Sequence, residues 1–363
     1  MYLQSFVLAF LTLTVTTGLH AQGKSQQWWR GNTHVHTVLS NHADSTPEEV
    51  SQWYLDRGYN FLVLSEHNKF IDPAKVKLPS NRRKDFILIP GVEVTGPKKI
   101  HSTALNVKKV IPWQFDHADK WRIVEEQQRL IETAGGTMIL NHPTWTWALD
   151  FDDLKQVPRL GHFELYNGSP DTHNHGDLHN DSTEALWDKL LSNGQKVYAV
   201  ASDDAHQFKS KRPEDSNPGT GWIMVRGGEL NANAISTAIK LGQFYASSGI
   251  VLKDFEYANG QFCVWVDEAA TKAMLAKDYV VGHRHNHATQ HVASHYQDGM
   301  TIEFITREGE VLASTQATQA CSSNIKASLY LRAKITFTRE VKLAGKESTK
   351  EEFYAWTQPI FLP

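Results

Sequence analysis

A chain of 363 residues is long enough for about two domains, and 40% hydrophobic content with 11 tryptophans supplies a sizeable core. Lysine and arginine number 37 against 40 aspartates and glutamates, a formal net charge of −3 at pH 7. That balance excludes a general electrostatic hold on nucleic acid or an anionic membrane, and the 18 histidines are the one compositional oddity.

The chain opens on MYLQSFVLAFLTLTVTTGLHAQG, with an apolar run from Phe6 to Val15, then Gly18 and Leu19-His20-Ala21. Residues 1–21 read as a secretory signal cleaved after Ala21, although the usual positive flank is missing. The run is short against the roughly 20 residues of a membrane span. The expectation is a periplasmic or secreted protein with no membrane anchor after cleavage; a retained N-terminal anchor is the alternative.

GNTHVHTVLSNHADSTPEE (31–49) crowds three histidines and an aspartate into a strand-to-helix passage. Residues 44–58 then predict a helix. Thr46 suits the N-cap, Pro47 the first turn, Glu49 completes a capping box, and Gly58 ends it. NFLVLSEHN reads as a buried strand and FILIPGVEV (86–94) as another. A helix follows from about Trp121 to Ala134, with Ile123, Gln127, Leu130 and Ile131 on one side and Gly135-Gly136 as its stop. Next come the strands TMILNHP and HFELYN, a helix over Thr183–Ser192, the strands KVYAVASDD and GWIMVR, and a helix in NANAISTAIKLGQ. Repeated β then α argues for a parallel sheet covered by helices, and around seven strands is the size of a barrel.

Beyond residue 250 the period drops to two. DFEYANGQFCVWVD, MTIEFITREGEVLAS and ASLYLRAKITFTRE predict a small antiparallel β-domain over 251–363, of β-sandwich type. Its Cys263 and Cys321 read equally as a disulfide in an oxidising compartment or as strand-core thiols.

Chemistry-bearing residues gather at strand ends. His34 and His36 share one strand face, because side chains alternate sides. His67 closes NFLVLSEH, Glu93 closes FILIPGVE, His142 closes TMILNH, and Asp204 with His206 closes KVYAVASDDAH. In a β/α barrel these ends converge on one mouth, where sites are built. One such histidine is ordinarily structural; five strand ends together point to a metal site. The D-x-H spacing favours Asp204 over Asp203 as the acid. With imidazole and carboxylate but no thiolate, the set suits Zn²⁺, Mn²⁺ or Fe²⁺.

These segments resemble the PHP (polymerase and histidinol phosphatase) family. HVHT, SEHN, the His of LNHP and DAH match its four motifs, and GVEV and the His of KIHSTALNV match two further ligand segments. The likeness spans residues 31 to about 250. DSTPEEVSQWYLDRGYNFLVLSEHN and the closing AWTQPIF are similar to a secreted branch related to carbaryl hydrolase. The resemblance implies a distorted seven-stranded (β/α) barrel over residues 22–250 and two to three divalent ions. It implies His34, His36, Glu93 and Asp204 around the first, His101 and His142 sharing Glu93 around the second, and His42, His67 and His206 around the third. Asp44 is the alternative to His42, and it also stands where it would cap the helix.

Such a cluster lowers the pKa of water toward about 7 and makes a hydroxide that attacks an ester without a serine or cysteine nucleophile. Glu66, His175 and Asp204 are the candidate catalytic groups, with Glu66 and the loop histidines 173, 175 and 179 the choices for protonating a leaving group. The loop NGSPDTHNHGDLHND, from Asn167, reads as a substrate-facing cover through Asn167, His173 and His175. Lys209, Lys211 and Arg212 suit an anionic substrate, or are solvated surface charge. Trp145 and Trp147 read as pocket wall or as core. His162 opens its strand, at the wrong end for the site. His283, His285, His287, His291 and His295 lie in a loop and read as adventitious.

The leading expectation is a hydrolase of a small-molecule phosphoric ester. The same hydroxide serves carbamic or carboxylic esters and amides. A non-catalytic metal or glycan binder is the third reading. Nothing points to a nucleic-acid partner.

Overall fold

The computed structural model describes residues 27–82, 84–212, 214–284, 299–322, 327–341 and 348–362. The expected signal over 1–21 and the histidines from 285 to 295 lie outside the described residues. Among those described, the chain is a mixed α/β fold of three sheets and six helices. No described helix is long and apolar enough to cross a membrane.

The first ten strands are β1 (Trp28–Asn32), β2 (Phe61–Leu62), β3 (Ile87–Leu88), β4 (Gly91–Thr95), β5 (His101–Leu105), β6 (Thr137–Leu140), β7 (His162–Asn167), β8 (Tyr198–Ser202), β9 (Trp222–Arg226) and β10 (Phe244–Ser247). Among them run α1 (Pro47–Asp56), α2 (Lys120–Thr133), α3 (Phe151–Leu154), α4 (Thr183–Ser192) and α5 (Ala232–Lys240). The later part holds β11 (Leu252–Ala258), β12 (Gln261–Val266), α6 (Glu268–Leu275), β13 (His283–Arg284), β14 (Gly299–Thr306), β15 (Glu310–Thr315), β16 (Gln319–Ser322), β17 (Tyr330–Val341), β18 (Thr349–Thr357) and β19 (Ile360–Phe361).

α1 begins as its sequence demands: Thr46 accepts from the Glu49 amide while Glu49 reaches back to the Thr46 amide. FILIPGVEV is two strands rather than one. Pro90 has no N–H for a ladder, and the chain leaves one sheet at β3 and enters another at β4.

One sheet has the order β15-β14-β17-β18-β10-β9-β1-β2-β3, with β13 added on β18 and β19 on β17. A second runs β4-β5-β6-β7-β8, and a third β11-β12-β16. β1, β2 and β3 are mutually parallel, as are β6, β7 and β8. β4, β5 and β6 pair antiparallel, as do β1, β9 and β10. The expected run of parallel strands is therefore mixed, and among the described residues backbone hydrogen bonds close no barrel. The two large sheets touch through isolated parallel bridges, Val35 with Ala205 and His67 with Glu93. Val35, His67 and Ala205 lie just past β1, β2 and β8, and Glu93 lies within β4.

Antiparallel pairing begins before residue 250, and among the described residues every strand pair after it is antiparallel. β11 and β12 turn through Asn259-Gly260, both with positive φ, as a two-residue hairpin requires. Cys263 and Cys321 stand opposite each other on β12 and β16 and form a disulfide. Because β18 pairs with β10, the large sheet is continuous across residue 250.

His162 begins β7 and is buried, its Nε2 donating to the Ile239 carbonyl at 3.0 Å. Burial pushes its pKa down to about 4. The unfolded chain takes up this proton below about pH 6.5 and the folded chain resists it, so stability falls as pH drops from about 6.5 to about 4. In His162→Gln, the difference in unfolding free energy between about pH 7.5 and about pH 5 should shrink by about 2 kcal/mol. Urea titrations of both proteins at the two pH values measure it, and parallel pH dependences would refute the assignment.

Candidate metal centre

β1 ends at Asn32, and the chain continues past the Val35–Ala205 bridge, so His34 and His36 turn to one side and are fully buried. His67 follows β2 and bridges to Glu93 in the middle of β4. His101 opens β5 opposite Thr95, so the antiparallel return brings it back beside Glu93. His142 follows β6, and Asp204 and His206 follow β8. His142 and Asp204 have φ of 24° and 50°. Residues with a Cβ seldom adopt this region, and such strain concentrates at functional sites.

Glu93 is the hub. Its Oε1 lies 3.2 Å from His101 Nδ1, 3.3 Å from His34 Nε2 and 3.5 Å from His142 Nε2. Its Oε2 lies 2.5 Å from His67 Nδ1 and 3.6 Å from His36 Nε2. Asp204 Oδ1 is 3.1 Å from His36 Nε2, 3.2 Å from His34 Nε2 and 3.7 Å from His206 Nδ1. Four overlapping triplets have ligand atoms within 4.8 Å of one another: His34–Glu93–His142, His34–His36–Asp204, His67–Glu93–His101 and His36–His67–His206. These buried groups can hold a metal ion.

The outer nitrogens fix the tautomers. His34 Nδ1 donates to Glu164 Oε1 at 2.8 Å, His42 Nδ1 to the Ser40 carbonyl at 2.7 Å, and His206 Nδ1 to the Asp204 carbonyl at 2.7 Å. His36 Nδ1 donates to Ser40 Oγ at 3.0 Å, whose own proton goes to Glu66. Each of these four rings therefore offers Nε2 as a lone pair, the arrangement of metal-bound histidines. The Nε2 atoms of His34 and His36 lie 3.1 Å apart, and those of His42 and His67 3.3 Å apart. Each pair either shares a proton or holds a cation between its lone pairs. His142 Nδ1 and His206 Nε2 are buried without a hydrogen-bond partner. The donor set thus fits a divalent ion.

Burial pushes the Glu93 and Asp204 carboxyls up, but the imidazoles around them outweigh it and hold both well below the ordinary range. Burial, reinforced by the neighbouring His206, keeps His36 neutral, and burial lowers His101 and His206 as well. Burial also opposes charge on His34, His67 and His142, but the carboxylates around them outweigh it and raise all three. Ionised acids and neutral imidazoles are the forms that bind metals, so an ion entering the cluster displaces protons from these three rings.

His42 reaches the rim of the cluster, its ring 4.5 Å from that of His206. Asp44 does not: its carboxylate accepts the Phe208 and Lys209 amides. Asp203 faces away, accepting from Tyr54 Oη and the amides of Gly219, Thr220 and Gly221. Asn167 belongs to the site, with Nδ2 2.8 Å from Glu164 Oε2 and 3.3 Å from Asp204 Oδ2.

Other expectations are corrected. Glu66 is fully buried behind the cluster, its carboxylate occupied by the Thr37 amide and Ser40 Oγ, so it orients His36 through Ser40 rather than meeting a leaving group. His175 stacks on His283 and lines a different cavity, on the other side of β7. His173, two residues earlier, stacks on Trp147, and Asp171 accepts from Trp145, so only the first part of the loop docks beside the site. Lys209 pairs with Glu49 and Arg212 with Asp215 and Glu214, as surface cations do. Trp145 is pocket wall. With His42, His67, Thr95, Lys99 and His101 it lines a cleft of about 460 Å³.

Glu164, Asn141 and Thr95 escaped sequence reading. Glu164 accepts from His34, Ser202 and the His142 amide. Asn141 donates to Glu93 Oε1 at 3.0 Å, and Thr95 Oγ1 meets His67 Nδ1 at 2.6 Å. The signal was present for Glu164: an acid in the middle of an otherwise apolar strand. Glu164→Gln should weaken metal binding by about 10–100-fold, read by competition with a chelator. Unchanged affinity would mean that Glu164 does not set the His34 ring.

Compared with known proteins, the chain matches no family model and no curated protein.

Proposed function

We propose that the chain is a metal-dependent hydrolase of phosphoric esters, on a distorted (β/α) barrel of PHP type, with two or three divalent ions among His34, His36, His42, His67, Glu93, His101, His142, Asp204 and His206. The observation that carries the reading is the set of Nε2 lone pairs, their Nδ1–H groups anchored outside, converging with Glu93 and Asp204. Imidazole and carboxylate without thiolate suit Zn²⁺, Mn²⁺ or Fe²⁺. When bound, such ions supply Lewis acidity and lower the pKa of water toward about 7.

The residues of the chain supply the rest. Glu93 bridges the histidine groups, Asn167 steadies Asp204, and the Trp145 indole walls the cleft. Lys99 Nζ sits 5.1 Å above the Trp145 ring and, among the described residues, pairs with no carboxylate, whereas Lys98 is held by Asp116. An uncompensated ammonium at the mouth favours an ester that carries charge, and so phosphoric over carboxylic or carbamic esters. The Cys263–Cys321 disulfide supports a periplasmic or extracellular setting.

The test is metal analysis of the purified protein, followed by turnover of p-nitrophenyl phosphate, its bis-ester and p-nitrophenyl acetate with Mn²⁺ or Zn²⁺. Phosphoric ester hydrolysis that a chelator abolishes is expected. Turnover of the acetate alone would shift the assignment to carboxylic or carbamic esters, and bound metal with no turnover to a binding protein.

A further inference from the structure

The cleft beside the metal centre carries positive and neutral groups. Three rings of the cluster, His42, His67 and His101, line it with Trp145, Lys98 and Lys99, and among the described residues no carboxylate does. Glu93 is wholly buried, and the nearby Asp171 carboxylate is turned to the Trp145 Nε1–H at 3.0 Å.

Lys98 and Lys99 follow each other in the turn between β4 and β5, with φ of 56° and 62°. Residues with a Cβ seldom adopt this region, and two in succession are held only where the surroundings demand it. The two ammoniums go to different places. Lys98 Nζ meets Asp116 at 2.8 Å and is neutralised. Lys99 Nζ stands 5.1 Å over the Trp145 ring and, among the described residues, pairs with no carboxylate. Trp145 is itself fixed beside the cluster, its ring centroid 5.4 Å from that of His101 and 5.2 Å from that of His142. The indole thus parks an exposed cation next to the metal centre.

We infer that Lys99 is the substrate-binding cation of this cleft and makes it prefer the dianion of a phosphoric monoester to the monoanion of a diester; the inference rests on the hydrolase reading. An exposed cation–π contact is weak beside a charge-assisted hydrogen bond, so the ammonium leaves the ring for a phosphate oxygen. A monoester carries close to two negative charges at neutral pH, because its second pKa is about 6, and a diester carries one. The attraction to one ammonium is then about twice as large for the monoester, and no acid lining the cleft opposes it.

The metal-loaded parent is compared with Lys99→Met, Lys99→Arg and a remote charge control, Lys109→Met, which lies past the far end of β5. In Lys99→Met, kcat/KM for p-nitrophenyl phosphate should fall about tenfold or more, mainly through KM, and that for the bis-ester by less than about threefold. Lys99→Arg should recover most of the loss, and Lys109→Met should stay within about twofold of the parent. Calorimetry tests the same preference without turnover. Inorganic phosphate should bind the parent more tightly than dimethyl phosphate, and Lys99→Met should remove most of that difference. Saturating phosphate should shift the tryptophan emission of the parent, as the ammonium leaves the Trp145 face, and not that of Lys99→Met. Equal losses for the two esters, no loss, or a phosphate preference untouched in Lys99→Met would each overturn the inference while leaving the hydrolase intact. A protein that turns over no ester, yet prefers phosphate through Lys99, would bear out the role of Lys99 as the cation for a dianion and overturn the hydrolase reading instead.

Discussion

Glu93→Gln is expected to lower ester turnover by roughly 10³-fold or more and to empty at least part of the metal centre. The reason is its position. One carboxylate has five imidazoles within 3.6 Å of its two oxygens, from four different segments. The amide keeps the shape but removes the negative charge and turns an N–H₂ toward nitrogens that must act as acceptors. Loss of a group one layer further out costs about 10–100-fold, so loss of the shared acid should cost more. Metal content per chain and kcat/KM with a phosphoric ester measure the effect, and folding is checked by near-UV circular dichroism. A folded variant with full metal content and turnover within about twofold of the parent would remove Glu93 from the centre, and the proposed activity with it.

Arg332→Ala is expected to destabilise the fold by about 3–5 kcal/mol. Arg332 is almost wholly buried; its Nε and Nη2 hold Asp188 at 2.9 and 2.6 Å, Nη2 also reaches Glu184, and the guanidinium lies 4.8 Å over the Trp187 ring. The interaction ties β17 to α4. Removing the cation leaves Asp188 buried, with Tyr330 Oη still donating to it at 2.7 Å. That uncompensated charge, more than the lost contact, carries the penalty. The double variant Asp188→Asn/Arg332→Met should therefore recover much of the loss. Urea unfolding of the single and double variants decides it, and a cost below about 1 kcal/mol in Arg332→Ala would show that the pair is not structural. The network also has an acid limit. Burial raises Glu184, but Lys334 and Arg332 outweigh it and draw its pKa down to about 2, so its contribution is complete above about pH 4.5 and is lost as pH falls through about 2.

Much of the centre was legible because local rules position it. HxH puts two imidazoles on one side of an extended segment whatever sheet it joins, and D-x-H does the same for Asp204 and His206. The capping box at Thr46–Glu49 fixes where the loop bearing His42 must end. What failed were choices among neighbours in one segment. His173 and His175 share a loop, yet one stacks on Trp147 and the other on His283. Glu66 adjoins His67, yet lies behind the cluster.

The sequence by itself determined α1, α2, α4 and α5 and which residue types reach the strand ends, since capping, stop signals and side-chain alternation act within a few residues. Only the tertiary structure decided that Pro90 hands the chain from one sheet to another, that His101 returns antiparallel to meet Glu93, and that Glu164 sets the His34 ring from 130 residues away. Those outcomes depend on pairing between distant segments, and no local spacing encodes which distant partner a buried donor will find.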